Sequence, residues 1–257
     1  MAAYGTYELM IKTNHHLIRG GELTDAQKAN ITRRLLAAKI DIGSNPWLYD
    51  GAVNAHKPAF FVPPYNNGKK LKTVIPMGAQ TAQVSDNSYE LEIIRLLHKF
   101  TRPNNEVANM VKVTENRLKQ LCFGYKDCFY AECFHAAIVV LRFISSVMPA
   151  DTHWIKKKTT GYNKHFKDRR WHSGVHKYYW LCLSDMPIEI AEPEIRRQKE
   201  RIVEQLSRSY LMKNENDDIP LYAMRNALAR LPEYSYLKNR RPYIDEKAKR
   251  LYFDMAV

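Results

Sequence analysis

The stretch Leu96-Leu97-His98-Lys99-Phe100-Thr101-Arg102-Pro103-Asn104-Asn105-Glu106-Val107 sets the fold class, because it ends one helix and starts the next. Upstream, Glu90 to Phe100 spaces its aliphatic residues as one face of an amphipathic helix, and Pro103 lacks the amide hydrogen needed to continue it. Downstream, Val107, Met110, Val111, Val113, Leu118 and Leu121 resume the helical spacing. The same order recurs along the chain. Ala136 to Met148 stops at Pro149 and restarts with Trp154 and Ile155; Lys177 to Met186 stops at Pro187 and restarts through Ile195, Ile202 and Leu206; Leu221 to Leu231 stops at Pro232. The four prolines are separated by 46, 38 and 45 residues, the period of a stacked helix pair.

This turn resembles the inter-helix turn of HEAT and armadillo-type repeats, in which an aliphatic helix end meets a short polar turn with Pro, then an acidic residue and Val open the second helix. The resemblance covers roughly Ser85 to Leu237, about three and a half units. Later units depart from it: Pro193 follows Pro187, and none repeats Asn-Glu-Val. The resemblance implies a helix-pair α-solenoid, while proline-broken helices in an irregular helical bundle are the other reading. Some HEAT-like solenoids also resemble DNA glycosylases acting on alkylated bases, through a basic concave face with Trp and Asp. Trp154, Trp171, Trp180, Arg170 and Asp185 supply those residue types, which makes Asp185 the one candidate catalytic residue.

Outward from the repeats, Thr24-Asp25-Ala26-Gln27 is an N-cap followed by Gln at the third helical position, and Ala29, Ile31, Leu35, Leu36 and Ala38 continue its apolar stripe. Ala59 to Val62 and Leu71 to Ile75 read as strands around the turn signal Asn66-Asn67-Gly68, one β-hairpin near residues 59–76. The fold expected is therefore mostly α with one hairpin. An N-terminal helical region, 1–84, carries the hairpin; a helical-repeat region, 85–257, ends in a basic, Tyr-rich tail from Tyr234; the two pack as one unit.

Charge points to a partner. Residues Asp151 to Trp180 hold eight Lys and Arg against two Asp, so this segment carries +6 of the chain's formal +13. Trp154, Tyr162, Phe166, Trp171, Tyr178, Tyr179 and Trp180 are interleaved with them, the composition expected where phosphates are neutralised and bases meet aromatic faces. A helix capped by Asp151 or Thr152 puts Ile155, Thr159, Tyr162 and Phe166 on one face, and Lys156, Lys157, Lys164 and Lys167 opposite. Arg169, Arg170, Trp171, His172 and Lys177 continue this basic face. The expected partner is DNA or RNA, alone or in a nucleoprotein complex, held through the phosphate backbone without catalysis. An acidic protein partner, as for an interaction scaffold, is the alternative.

Cys122, Cys128 and Cys133, with His135 two residues on, offer four soft ligands of the Cys3His type that suit zinc. Their spacing matches no common finger or ribbon, and packing of small apolar thiols is the simpler reading, so no cofactor is expected. Cys182 reads as core. His172 and His176 are four apart but Gly174 weakens a shared helix face. No phosphate-cradling Gly-rich loop, dinucleotide fingerprint, zincin helix or nucleophile elbow is present. Composition, with 45% hydrophobic and 26% charged residues, fits a folded chain. The longest apolar run, Ala136 to Leu141, is far short of the ~20 residues of a membrane span, and Met1 to Met10 does not read as a signal peptide. A cytoplasmic protein with no membrane partner is the expectation.

Overall fold

Asn104 accepts hydrogen bonds from the amides of Glu106 and Val107, at 2.8 and 3.3 Å, and so caps a helix that opens two residues after Pro103. The computed structural model describes residues 2–41, 47–49, 56–64, 71–77, 81–101, 103–126, 128, 131–164 and 173–255, and this turn joins two of the nine α-helices among those described residues. The helices are α1 (Ala2–Ile18), α2 (Asp25–Leu36), α3 (Ala82–Phe100), α4 (Asn105–Gln120), α5 (Ala131–Val147), α6 (Thr152–Lys164), α7 (Ser173–Asp185), α8 (Ile188–Leu206) and α9 (Ile219–Leu228). A 3-10 helix spans Pro232–Asn239. The strands among the described residues form two small antiparallel sheets: β1 (Trp47–Tyr49) with β2 (His56–Pro58), and β3 (Tyr210–Leu211), β4 (Tyr243–Asp245) and β5 (Arg250–Tyr252) in the order β3-β5-β4.

The helices pair as the proline spacing implies. α3, α5, α7 and α9 pack successively into an inner row; α4 lies on α3, α6 on α5 and α8, and α8 on α7 and α9. The chain is mostly α, an array of helix pairs with small sheets appended. α1 packs on both α3 and α9, the first and last members of that row. Arg19 at its end forks onto Asp218 with two bonds of 2.8 Å, and Asn226 donates to the Ile18 carbonyl at 2.7 Å. The N-terminal helix thus ties the two ends of the row together.

A chain of buried charges runs through the inner row. Arg142 of α5 donates to Glu92 of α3 at 2.5 Å and to Asp185 of α7 at 3.0 Å; Arg95 of α3 donates to Glu92 at 2.9 Å, and Tyr178 of α7 to the same carboxylate at 3.2 Å. Asn14 of α1 accepts from both Arg95 and Arg142. Four helices therefore share one hydrogen-bonded cluster. A second pair, Glu90 and Arg117 at 3.2 Å, joins α3 to α4.

The hairpin lies earlier than the sequence suggests. Among the described residues of 59–76 there is no strand, and the turn at 66–68 lies outside them; the paired strands are Trp47–Tyr49 and His56–Pro58. The reason is local. The amides of Phe60 and Phe61 donate to the two oxygens of the Glu90 carboxylate, each at 3.0 Å, and the Val74 carbonyl meets His15 Nε2 at 3.0 Å. Tyr7 Oη accepts from the Lys72 amide at 2.9 Å and donates to its carbonyl at 3.1 Å. Side chains of α1 and α3 satisfy backbone groups that a partner strand would otherwise take.

Candidate functional site

On α6 the helical wheel holds. Ile155, Thr159 and Tyr162 are buried, and Lys156 and Lys157 are exposed on the other side. Lys164 ends the helix, while Lys167, Arg169, Arg170, Trp171 and His172 lie outside the described residues. Lys177 does not continue that face. It lines a cavity of about 730 Å³ between α1, residues 72–76, α7 and β3, with its ammonium 5.0 Å from the Tyr210 ring centroid. Burial pulls that ammonium below the ordinary lysine value.

The aromatic half of the basic segment is core. Trp154, Tyr162, Tyr178, Tyr179 and Trp180 are all buried, so none of them presents a ring for stacking on a base. Trp154 packs on Tyr125 with ring centroids 5.1 Å apart, and Trp180 donates its indole hydrogen to Gln198 at 2.6 Å. Composition marked the segment, but α7 sits between α5, α8 and α9, and a helix so surrounded buries most of its surface. His176, the possible partner of His172, is buried against Trp180, and burial lowers its pKa to about 3.

Among the described residues, no tryptophan lines the cavity at Asp185. This small cavity, about 230 Å³, is lined by Arg95, His98, Lys99 and Ser146 with Asp185 itself. Burial pushes its carboxyl up, but Arg142, Arg95 and Lys99 outweigh that and hold it below the usual carboxylate range. It is an ionised member of the charge cluster.

The thiols of Cys122, Cys128 and Cys133 converge, their sulfurs all within 4.8 Å of one another and the Cys122–Cys133 pair 3.3 Å apart. This group could hold a metal ion. His135 is not a member. Two residues beyond Cys133 on α5, it points about 200° around the helix and sets its ring edge-on to Phe134. Burial raises the Cys122 and Cys133 thiols, Cys133 to about 12.

A surface that the sequence reading left as a Tyr-rich tail is a sheet. β4 and β5 pair Tyr243 with Tyr252 and Asp245 with Arg250, while Leu211 of β3 pairs with Arg250. Strand alternation places Leu211, Tyr243, Arg250 and Tyr252 on one face and the buried Leu251 on the other. Leu211 and Tyr243 are each 56% exposed, Ile244 46% and Tyr252 36%, making four of the five exposed large apolar side chains of the described residues. The two tyrosine rings lie 5.1 Å apart at 42°. Within 238–252, Lys238, Arg240, Arg241, Lys247, Lys249 and Arg250 stand against Asp245 and Glu246. The tight connection includes Lys249 at φ 49° and an Asp245 carboxylate accepting from the Ala248 amide at 2.9 Å. The alternation Tyr-Ile-Asp and Arg-Leu-Tyr was the available signal.

Fold and surface together define a helix-pair protein with a cationic, tyrosine-bearing sheet at its C-terminal end. No protein-family model matches the chain, and neither the curated proteins nor the solved structures compared with it give a match. The HEAT-like resemblance thus describes an architecture and brings no activity with it. No helix among the described residues is long and apolar enough to cross a membrane.

Proposed function

We propose that the protein binds nucleic acid without altering it, taking unpaired bases on the outer face of the β3-β5-β4 sheet and the phosphate backbone on the surrounding cations. One observation carries this reading: Tyr243 and Tyr252 are opposed across the ladder, exposed, and bordered by exposed Arg241, Lys247, Lys249 and Arg250. Aromatic faces on a sheet with basic neighbours suit single strands, because every base has a π-face and every linkage a negative charge. Lys156 and Lys157 of α6 supply a further basic surface for backbone contact.

A protein scaffold is the second reading, favoured by the exposure of Leu211 and Ile244 on the same sheet. Salt separates the two. Fluorescence anisotropy of labelled single- and double-stranded DNA and RNA should show single strands bound best, with log K falling roughly 0.7 per phosphate contacted for each tenfold rise in salt. Absence of binding to any of them at low salt would overturn the proposal. Reversing Lys156 and Lys157 to Glu should weaken binding and flatten that salt slope. Because both are exposed, stability should stay within about 0.5 kcal/mol. Unchanged affinity and slope would remove α6 from the interface.

A further inference from the structure

We infer that Cys122, Cys128 and Cys133 form a three-thiolate site for a borderline-soft divalent cation, zinc, with its fourth position open to water. The three ligands fall within one stretch of twelve residues but on different local elements: Cys122 in the turn after α4, Cys128 in the connection, and Cys133 in the first turn of α5. The connection folds back so that all three sulfurs meet. Each is only partly buried, whereas Cys182, the remaining cysteine, is wholly buried. An ion could reach them.

The geometry is close to what zinc needs. Zinc–sulfur bonds of about 2.3 Å at tetrahedral angles place sulfurs about 3.8 Å apart. The observed separations, 3.3 Å for one pair and none beyond 4.8 Å, bracket that value, so shifts of under about an ångström suffice.

The loop that carries the ligands is built, too. Its Gly124 approaches α4 so closely that an added Cβ would lie 1.9 Å from the Leu118 carbonyl oxygen. Tyr125 donates to Asp151 at 3.0 Å, and the buried Lys158 ammonium donates to the Lys126 carbonyl, two residues before Cys128. These contacts hold the middle of the span between Cys122 and Cys128.

Charge is also provided for. Three thiolates and Zn²⁺ leave one negative charge; Cys133 stands in the first turn of α5, where the helix dipole favours an anion. Binding forms three zinc–sulfur bonds and releases the three thiol protons to solvent, with no change of oxidation state. With three protein ligands, the coordination follows the open pattern and not the closed four-ligand one.

The test uses the full chain, freed of any affinity tag, purified under reducing conditions and dialysed extensively. Elemental analysis should find about one equivalent of zinc. Replacing zinc by cobalt should give thiolate-to-cobalt charge-transfer absorption together with the visible bands of a tetrahedral ion. Cys128→Ser should lose both signals, and because the cobalt spectrum is read on the unaltered protein, a variant that fails to fold leaves the test intact. A protein that holds no zinc and develops no such spectrum on cobalt titration would overturn the inference. So would metal retained in full by Cys128→Ser, or a Cys122–Cys133 disulfide found in the reduced preparation.

Discussion

Replacing Arg142 by Met should destabilise the fold by about 3–5 kcal/mol, because it strips a buried guanidinium from two carboxylates that remain. Arg142 and Glu92 are each only 2% exposed, and Asp185 loses its 3.0 Å bond to Arg142 and is left with the more distant Arg95 at 4.0 Å. For a chain of this length the midpoint of thermal unfolding should drop by about 6–20 °C. Combining Arg142→Met with Glu92→Gln should cost less than the two single changes added, since the second removes one of the two buried carboxylate charges that Arg142 balanced, the other partner of Glu92 being Arg95. Additive effects would show that the two side chains are not coupled.

Acid should act on the same cluster. Burial pushes Glu92 up, yet Arg142 and Arg95 hold it below the ordinary range, as they do Asp185. Their contribution is complete at neutral pH and is lost as pH falls below about 4. His15 and His176 begin earlier. Burial lowers both, so the unfolded chain takes up protons below about pH 6.5 that the folded chain refuses. For Glu92, Asp185, His15 and His176 the unfolded state binds more protons, whereas Glu90, which burial raises, works the other way; with four groups against one, stability should decline from about pH 6.5 downward. Denaturant midpoints that rise on acidification would contradict these assignments.

The second large effect concerns recognition. Tyr243→Ala and Tyr252→Ala should each weaken single-strand binding by about 1–3 kcal/mol, roughly 5- to 150-fold, if each ring stacks on a base. The rings are exposed, and losing their cross-strand contact costs only about 0.2–1 kcal/mol, too little to unfold the chain. Phe at either position keeps the π-face and should bind nearly as well as Tyr. Ala variants that bind like the parent would remove the sheet from the interface.

Much of the fold was legible because it is written in local chemistry. Pro103, Pro149 and Pro187 each stand between helices, Pro232 opens the 3-10 helix after α9, and Thr24 and Gln27 form the capping box that their spacing announces. What packing alone decides was not legible. α3 is buried over most of its length although it contains Glu90, Glu92 and Arg95, whose partners are distant in sequence. Arg142 directly follows the apolar run Ala136 to Leu141; one turn beyond Ile138 it lies on the core side, next to carboxylates from α3 and α7. Aromatic residues misled for a similar reason. A tyrosine in a core and one on a platform are the same residue, and only the arrangement of neighbours separates Tyr178 from Tyr243. The thiols were visible as a cluster, but the helical turn that carries His135 away from Cys133 is a matter of geometry.

Photo-crosslinking tests the central claim most directly. A single-stranded oligonucleotide carrying 5-iodouracil, bound at low salt and irradiated, should attach to peptides containing Tyr243 or Tyr252, and added salt should abolish the adducts together with binding. Adducts confined to other peptides, or adducts at the sheet that persist unchanged at high salt, would contradict a sheet that stacks bases while its cations hold the backbone.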